Sequence, residues 1–351
     1  MAKSSNVKLP KSSSLPVIDA GTLEKLYREM LLIRRIEELI AKAYTQRKIL
    51  GFCHLYIGQE SVAVGAAAST RDDYWISAYR EHGHAIAKGV PCDEVFAELY
   101  GKQTGSSKGY GGSMHIFDKK HQFMGGWGIV GGHVPLANGV GWAIRHRNEG
   151  KVCVCFFGDG SMHQGAFFEA LCLAQLYKLP VVFICENNYY AMGTPLHRQS
   201  AITELSQRAR GVGMLSETFE GFDVEVVRER IGRAVDFARA GDGPVLLEVI
   251  TYRHKGHSMS DPAKYRPSGE LEEKKLSDPI LITAKRLTED FKFSEKKMTE
   301  IKEEIYAEAQ QAYDFAEASP AADPSRPRAL KKWPTSLASP TQLTTHPLPH
   351  H

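Results

Sequence analysis

The 351-residue chain has no apolar run approaching the ~20 residues that a membrane-spanning helix needs. Its first residues, MAKSSNVKLPKSSSLP, lack the apolar centre of a secretory signal. Both absences point to a soluble, cytoplasmic protein. There is no basic block either. The net charge is only +3, and the Lys and Arg residues of 264–304 are interspersed with Asp and Glu, as on a solvated helical surface. Nucleic acid is therefore not an expected partner, nor is a membrane. Six cysteines occur, at positions 53, 92, 153, 155, 172 and 185, without a single CxxC pair and mostly inside apolar runs. This pattern argues against zinc and disulfides and for reduced core residues. Internal repeats are missing too. What is present is a chain 42% hydrophobic and 24% charged, enough for a substantial core at the upper end of single-domain size. Its organisation reads as an arm over 1–20, a domain over 21–318, and a Pro-, Ser- and Thr-rich tail over 319–351, with arm and tail disordered.

The most informative segment is GDGSMHQGAFFEALCLAQLYKLPVVFICENN, from Gly158 to Asn188. The apolar, β-rich run KVCVCFF precedes GDG, and VVFIC precedes the closing ENN. The segment is one strand–helix–strand unit over a parallel sheet. Asp159 and Asn188 then sit where strands end, the place where open α/β sheets bind ligands. A carboxylate, an amide oxygen and a nearby main-chain carbonyl are the hard donors that magnesium takes while binding phosphates. Gly158 and Gly160 let the backbone approach a diphosphate closely.

GDG followed at this distance by NN resembles the thiamine diphosphate signature. In that family the Asp and the second Asn ligate a magnesium ion that holds the cofactor's diphosphate. Carried over by position, the ligands are Asp159, Asn188 and the main-chain carbonyl of Tyr190. Gly160 and Ser161 fall at diphosphate-contacting positions. Five further segments narrow the likeness: GFCHLYIGQE from Gly51, AYREHGHAIAKG from Ala78, SKGYGGSMH from Ser107, GGWGIVGGHVPLA from Gly125 and YRHKGHSMSDPAKYR from Tyr252. In this order they are similar to the alpha subunits of the pyruvate dehydrogenases, first components of the 2-oxo acid dehydrogenase complexes. The resemblance runs from about Leu23 to about Ala318. It implies the thiamine diphosphate-binding fold, an α/β domain with a mainly parallel sheet and helices on both faces.

The same resemblance assigns further residues. Tyr79 and Arg80 match diphosphate contacts, where a guanidinium fork suits the anion. Gly128 and Val130 match main-chain contacts to the aminopyrimidine. His54 and His257 fall at positions lining the active-site funnel, His257 also touching cofactor, and either imidazole could serve the substrate carboxylate, a developing oxyanion or the lipoyl sulfur. The activity implied is decarboxylation of pyruvate and reductive acetylation of a lipoyl group on an acyltransferase component. Acetoin-cleaving and branched-chain 2-oxo acid enzymes are the alternatives. Members also need a glutamate from a pyrimidine-binding domain. This chain holds no second such domain, so a beta subunit is implied, in an assembly of two alpha and two beta chains. Ser258 matches a phosphorylated position of animal members, but the second such serine is absent, Lys264 standing directly before Tyr265.

The remaining readings concern elements. Thr22 is expected to cap a helix over Leu23–Lys48. Further helices are expected from near Leu136 and over Arg228–Ala240, and a strand over Pro244–Tyr252. The small faces around Leu136–Ala143 and the apolar stripe of the first helix are candidates for contact between chains. Gly126, Gly128 and Gly131, with Glu149 beyond, imitate a dinucleotide fingerprint. That reading is set aside because KKHQFMG is not expected to be a strand. His82, His84, His115, His133 and His163 are expected to be ordinary, partly buried rings.

Overall fold

The computed structural model describes residues 18–325. Most of the N-terminal arm and the tail beyond residue 325 lie outside the described residues. Six strands form one sheet: β1 (Tyr74–Ala78), β2 (Phe123–Trp127), β3 (Cys153–Gly158), β4 (Val181–Asn187), and, after a two-residue antiparallel ladder of β5 (Tyr190–Ala191) and β6 (Thr194–Pro195), β7 (Leu215–Glu220) and β8 (Val245–Ile250). The order is β2-β1-β3-β4-β8-β7, and every neighbouring pair is parallel.

Side chains alternate along these strands, and both sheet faces are covered. Val154, Phe156, Val182 and Ile184 pack into one core, whereas Cys153, Cys155, Phe157, Val181 and Phe183 pack into the other. That double burial is why the strands read as continuous apolar runs rather than alternating ones. On the first face lie α1 (Ala20–Thr45), α2 (Glu60–Ala67), α3 (His82–Ala87), α4 (Cys92–Leu99) and α8 (Val224–Arg239). On the second lie α5 (Val134–Arg147) and α6 (Gly165–Leu176). Two short helices, α7 (Leu196–Gln199) and α9 (Glu270–Lys275), sit in connections, while α10 (Pro279–Glu289) and α11 (Glu295–Ala318) close over α1.

Several expectations need correction. The cap of α1 is Asp19, whose Oδ1 accepts from the Thr22 amide at 2.7 Å. A carboxylate there also opposes the positive helix end, which Thr22 could not do. The apolar stripe of α1 is buried within its own chain, from Leu26 to Ala43. It offers nothing to a partner. On α5, by contrast, Leu136 and Trp142 are exposed, as are Phe168, Leu173 and Leu176 on α6. Residues 319–325, expected within the disordered tail, are pinned to the loop after α4: Gln103 donates to the Pro320 carbonyl and Ala322 to that of Gly101.

The segment KKHQFMG does end in a strand. Phe123–Trp127 lies beside β1 at the sheet edge, with Gly125 at φ +98 against the Phe117 ring and no room for a Cβ on Gly126, which abuts the Glu81 carboxyl. The glycines lower its intrinsic strand preference, and the neighbouring strand supplies the order. The dinucleotide reading still fails on topology. Glu149 precedes β3 at the opposite sheet end from Gly158, where the glycines cannot share a ligand with it.

Candidate active site

The two signature residues come together because β3 and β4 are neighbours in register, Gly158 opposite Glu186. Both strands therefore end at one edge. Asp159 and Asn188 are the first residues beyond their ends, and both line a cavity of about 800 Å³. His54, Tyr79, Arg80, Gly128, Val130, Gly160, Ser161, Tyr190 and His257 line the same cavity. All eleven site residues expected from the sequence are thus brought together.

The paired asparagines divide their tasks. Asn187 is structural: its Nδ2 donates to Glu248 at 2.7 Å and its Oδ1 accepts from the Tyr189 amide at 3.1 Å, turning the chain out of β4 with Tyr189 at φ +70. Asn188 instead faces the cavity. Its Nδ2 donates to Gln59 Oε1 at 3.0 Å, and its Oδ1 is buried with no hydrogen-bond partner among the described residues. Asp159 is buried at the start of a 3-10 turn, and Gln199, from the four-residue α7, donates to its Oδ2. Burial pushes the Asp159 carboxyl up to about 6, the Gln199 hydrogen bond opposing the shift.

This donor set fits a hard cation. One carboxylate and one amide oxygen, the latter orphaned and buried, stand ready on adjacent strand ends. Gly158 adds a cradle: a Cβ there would meet no protein atom within 4 Å, so the space beside it is cavity. Gly160 is tighter, a Cβ falling 2.9 Å from that of Ala191.

The imidazoles form an aromatic cluster with Tyr79. Ring centroids are 4.5 Å apart for His54 and Tyr79, and 5.7 Å for Tyr79 and His257. Burial, reinforced by the Arg80 charge, drives His54 down to about 2 and His257 down to about 3. Both rings are neutral at physiological pH, and the Nδ1 of each is buried without a partner among the described residues. Arg80 does more than line the wall. Its Nη1 donates to the Leu55 carbonyl at 2.7 Å and its Nη2 to that of His257 at 2.8 Å, stapling the two histidine loops together. Burial beside Arg253 holds its guanidinium down at about 10.

The other histidines are less uniform than expected. His82 is buried between Glu37 and Ser113, and His133 bonds the Phe156 carbonyl at 2.8 Å. Both are core rings. His84, however, lines the cavity, bridging Ser77 at 2.9 Å and Glu186 at 3.2 Å, and Tyr56 donates to the same Glu186 oxygen. Sequence reasoning missed Glu186, Gln59 and Arg253, all cavity residues. Each stood inside a quoted motif: Glu186 opens ENN, Gln59 is near the end of GFCHLYIGQE and Arg253 is near the start of YRHKGHSMSDP. A buried polar residue flanked by glycines or chemistry-bearing neighbours was the available signal. All six cysteines are free.

The sequence model of the dehydrogenase E1 component family matches residues 28–325. The chain belongs to that family. It is 46% identical over 304 residues to the pyruvate dehydrogenase E1 component subunit alpha of Zymomonas mobilis, covering 86% of each chain. The subunit of the same name from Rhizobium meliloti is 46% identical over 303 residues, covering 86% of this chain and 87% of its own. A chloroplastic alpha-3 subunit from Arabidopsis thaliana is 40% identical over 327 residues, or 91% of this chain and 76% of the relative. Family membership accounts for the wholly parallel sheet with its cavity at the carboxyl ends.

Proposed function

We propose that the chain is the alpha subunit of a pyruvate dehydrogenase, a thiamine diphosphate-dependent enzyme that works with a beta subunit. The observation that carries this reading is one cavity holding Asp159, an orphaned Asn188 oxygen and two neutral imidazoles. The names of the relatives favour pyruvate over acetoin and branched-chain 2-oxo acids.

When bound, thiamine diphosphate supplies the electron sink for loss of carbon dioxide from a 2-oxo acid. The chain supplies geometry. Asp159, Asn188 and the main-chain carbonyl of Tyr190 would hold magnesium, with the diphosphate against Gly160, Ser161, Tyr79 and Arg80. Gly128 and Val130 offer main-chain groups to the aminopyrimidine. Neutral His54 and His257 can each donate from one nitrogen and accept at the other, so they can orient the substrate carboxylate or pass a proton to a lipoyl sulfur. The glutamate facing the pyrimidine comes from the beta chain. Two alpha and two beta chains form the assembly, which hands acetyl groups to a lipoyl acyltransferase component in the cytoplasm.

The test is a parallel assay of the purified alpha–beta pair with pyruvate, acetoin and 3-methyl-2-oxobutanoate. The highest kcat/KM is expected for pyruvate. Faster acetoin cleavage or faster decarboxylation of the branched acid reassigns the substrate.

A further inference from the structure

Asn188 carries a carbonyl oxygen that attracts a cation and an NH2 group that repels one, and the two ends have nearly the same shape. Gln59 tells them apart. Its Oε1 accepts from Asn188 Nδ2 at 3.0 Å, which turns Asn188 Oδ1 away from it and leaves that oxygen without a partner among the described residues. Gln59 is itself fully buried, and its Nε2 likewise has no partner among the described residues. Both residues line the same cavity. Two unpaired buried polar atoms on bonded neighbours are the arrangement a ligand satisfies.

The backbone around Gln59 is held firmly enough to impose this orientation. Gly58, at φ +99, packs where a Cβ would fall 2.4 Å from the Tyr252 carbonyl. Its amide donates to Glu60 at 3.0 Å, and both Glu60 oxygens accept from one edge of the Arg34 guanidinium, Nε and Nη2, while Nη1 bonds Asp278. The Gln59 side chain therefore starts from a clamped main chain.

We infer that Gln59 is the positioning residue of the cation site: its Oε1 turns the Asn188 oxygen toward the cation, and its Nε2 donates to an oxygen the cation holds. That oxygen belongs to a phosphate or to a cation-bound water. The inference rests on the reading of Asp159 and Asn188 as cation ligands.

The experiment uses the assembled alpha–beta protein, stripped of divalent cations and supplied with thiamine diphosphate. Manganese is titrated in, and the free ion is followed by electron paramagnetic resonance. Gln59→Met removes the acceptor and should weaken manganese binding by about 10- to 100-fold, the usual cost of losing a residue that orients a ligand. The unfolding temperature of the stripped protein should not move. Gln59→Glu keeps an acceptor for Nδ2 but loses the Nε2 donor, so it should bind manganese more tightly than Gln59→Met and less tightly than the unaltered protein, whereas Gln59→Asn, too short to reach, should behave like Gln59→Met and carries the comparison if the Met variant does not assemble. Full manganese affinity in Gln59→Met or Gln59→Asn overturns the inference, and so does a Gln59→Glu variant as weak as they are. Failure of the unaltered protein to bind manganese would instead overturn the reading of Asp159 and Asn188 beneath it.

Discussion

The imidazoles of His54 and His257 meet edge to face with ring centroids 5.0 Å apart. One sits on the loop before α2 and the other on the loop after β8. The Arg80 guanidinium bonds main-chain carbonyls of both loops, so this pairing is built by the fold rather than by either loop alone.

His257 lies on the wider of these two loops, in GHSMSDP, where Asp261 accepts from its amide. If it serves the lipoyl step, His257→Ala should depress reductive acetylation by ~100- to 10,000-fold while decarboxylation with an artificial electron acceptor falls far less. Comparing the two rates in one preparation checks this. Equal losses would place His257 at the substrate carbonyl.

The same pair sets a pH dependence of folding. Both rings ordinarily titrate at 6.5 and are depressed in the folded chain, to about 2 for His54 and about 3 for His257. Below pH 6.5 the unfolded chain takes up protons that the folded chain refuses, so stability present above that pH is lost progressively toward pH 3. The double variant His54→Asn, His257→Asn should lose less in unfolding temperature between pH 7 and pH 5 than the unaltered protein. Parallel acid sensitivity in both proteins would falsify the assignment of buried neutral rings.

Asp159→Ala should abolish cation-dependent binding of thiamine diphosphate and leave the fold intact, because the carboxylate borders a cavity rather than filling a core. The loss should exceed the ~10- to 100-fold typical of second-layer partners. Calorimetric titration with cofactor and magnesium measures it, and wild-type affinity in the variant would remove Asp159 from the site.

Turnover should require the partner. The cavity contains one glutamate among the described residues, Glu186, and it is engaged by Tyr56 and His84. The isolated chain, saturated with cofactor, is expected to show almost no pyruvate decarboxylation. Robust activity would point to Glu186 as an internal activating group, and Glu186→Gln would then abolish it.

The exposed apolar faces of α5 and α6 adjoin the loop that brings Val130 to the cavity. Trp142→Glu should prevent co-sedimentation with the beta chain while the alpha chain keeps its unfolding temperature, since Trp142 is 48% exposed in the single chain. Undisturbed assembly would move the contact elsewhere.

The sequence was most informative where local pattern and site coincide. Apolar runs before GDG and ENN located β3 and β4, and their parallel adjacency follows from the helix between them. Elements whose order comes from neighbours were harder to read. β2 contains two glycines and owes its extended form to β1 and Glu81. Gln59 and Arg253 gain their roles only through contacts distant in the chain, Gln59 with Asn188 and Arg253 with Met192 and Tyr265. The two asparagines could be ranked from the family pattern, but only the contacts show that Asn187 is engaged by Glu248 and the Tyr189 amide while the Asn188 oxygen has no partner among the described residues.

The position of β8 has a kinetic consequence. Among the described residues it is the last strand in sequence order, yet it lies between β4 and β7. Until residue 250 has left the ribosome, β4, the strand that ends just before Asn188, has one bare edge and β7 has no neighbouring strand. From the completion of β4 at Asn187 to that of β8 at Ile250 the nascent chain carries an open, apolar strand edge, and closing the gap requires insertion rather than addition at a rim. Such non-local completion is slow and exposes edges that associate. Slowing elongation once β8 has cleared the ribosome should therefore raise the soluble yield, and slowing it while β8 is still to emerge should lower it.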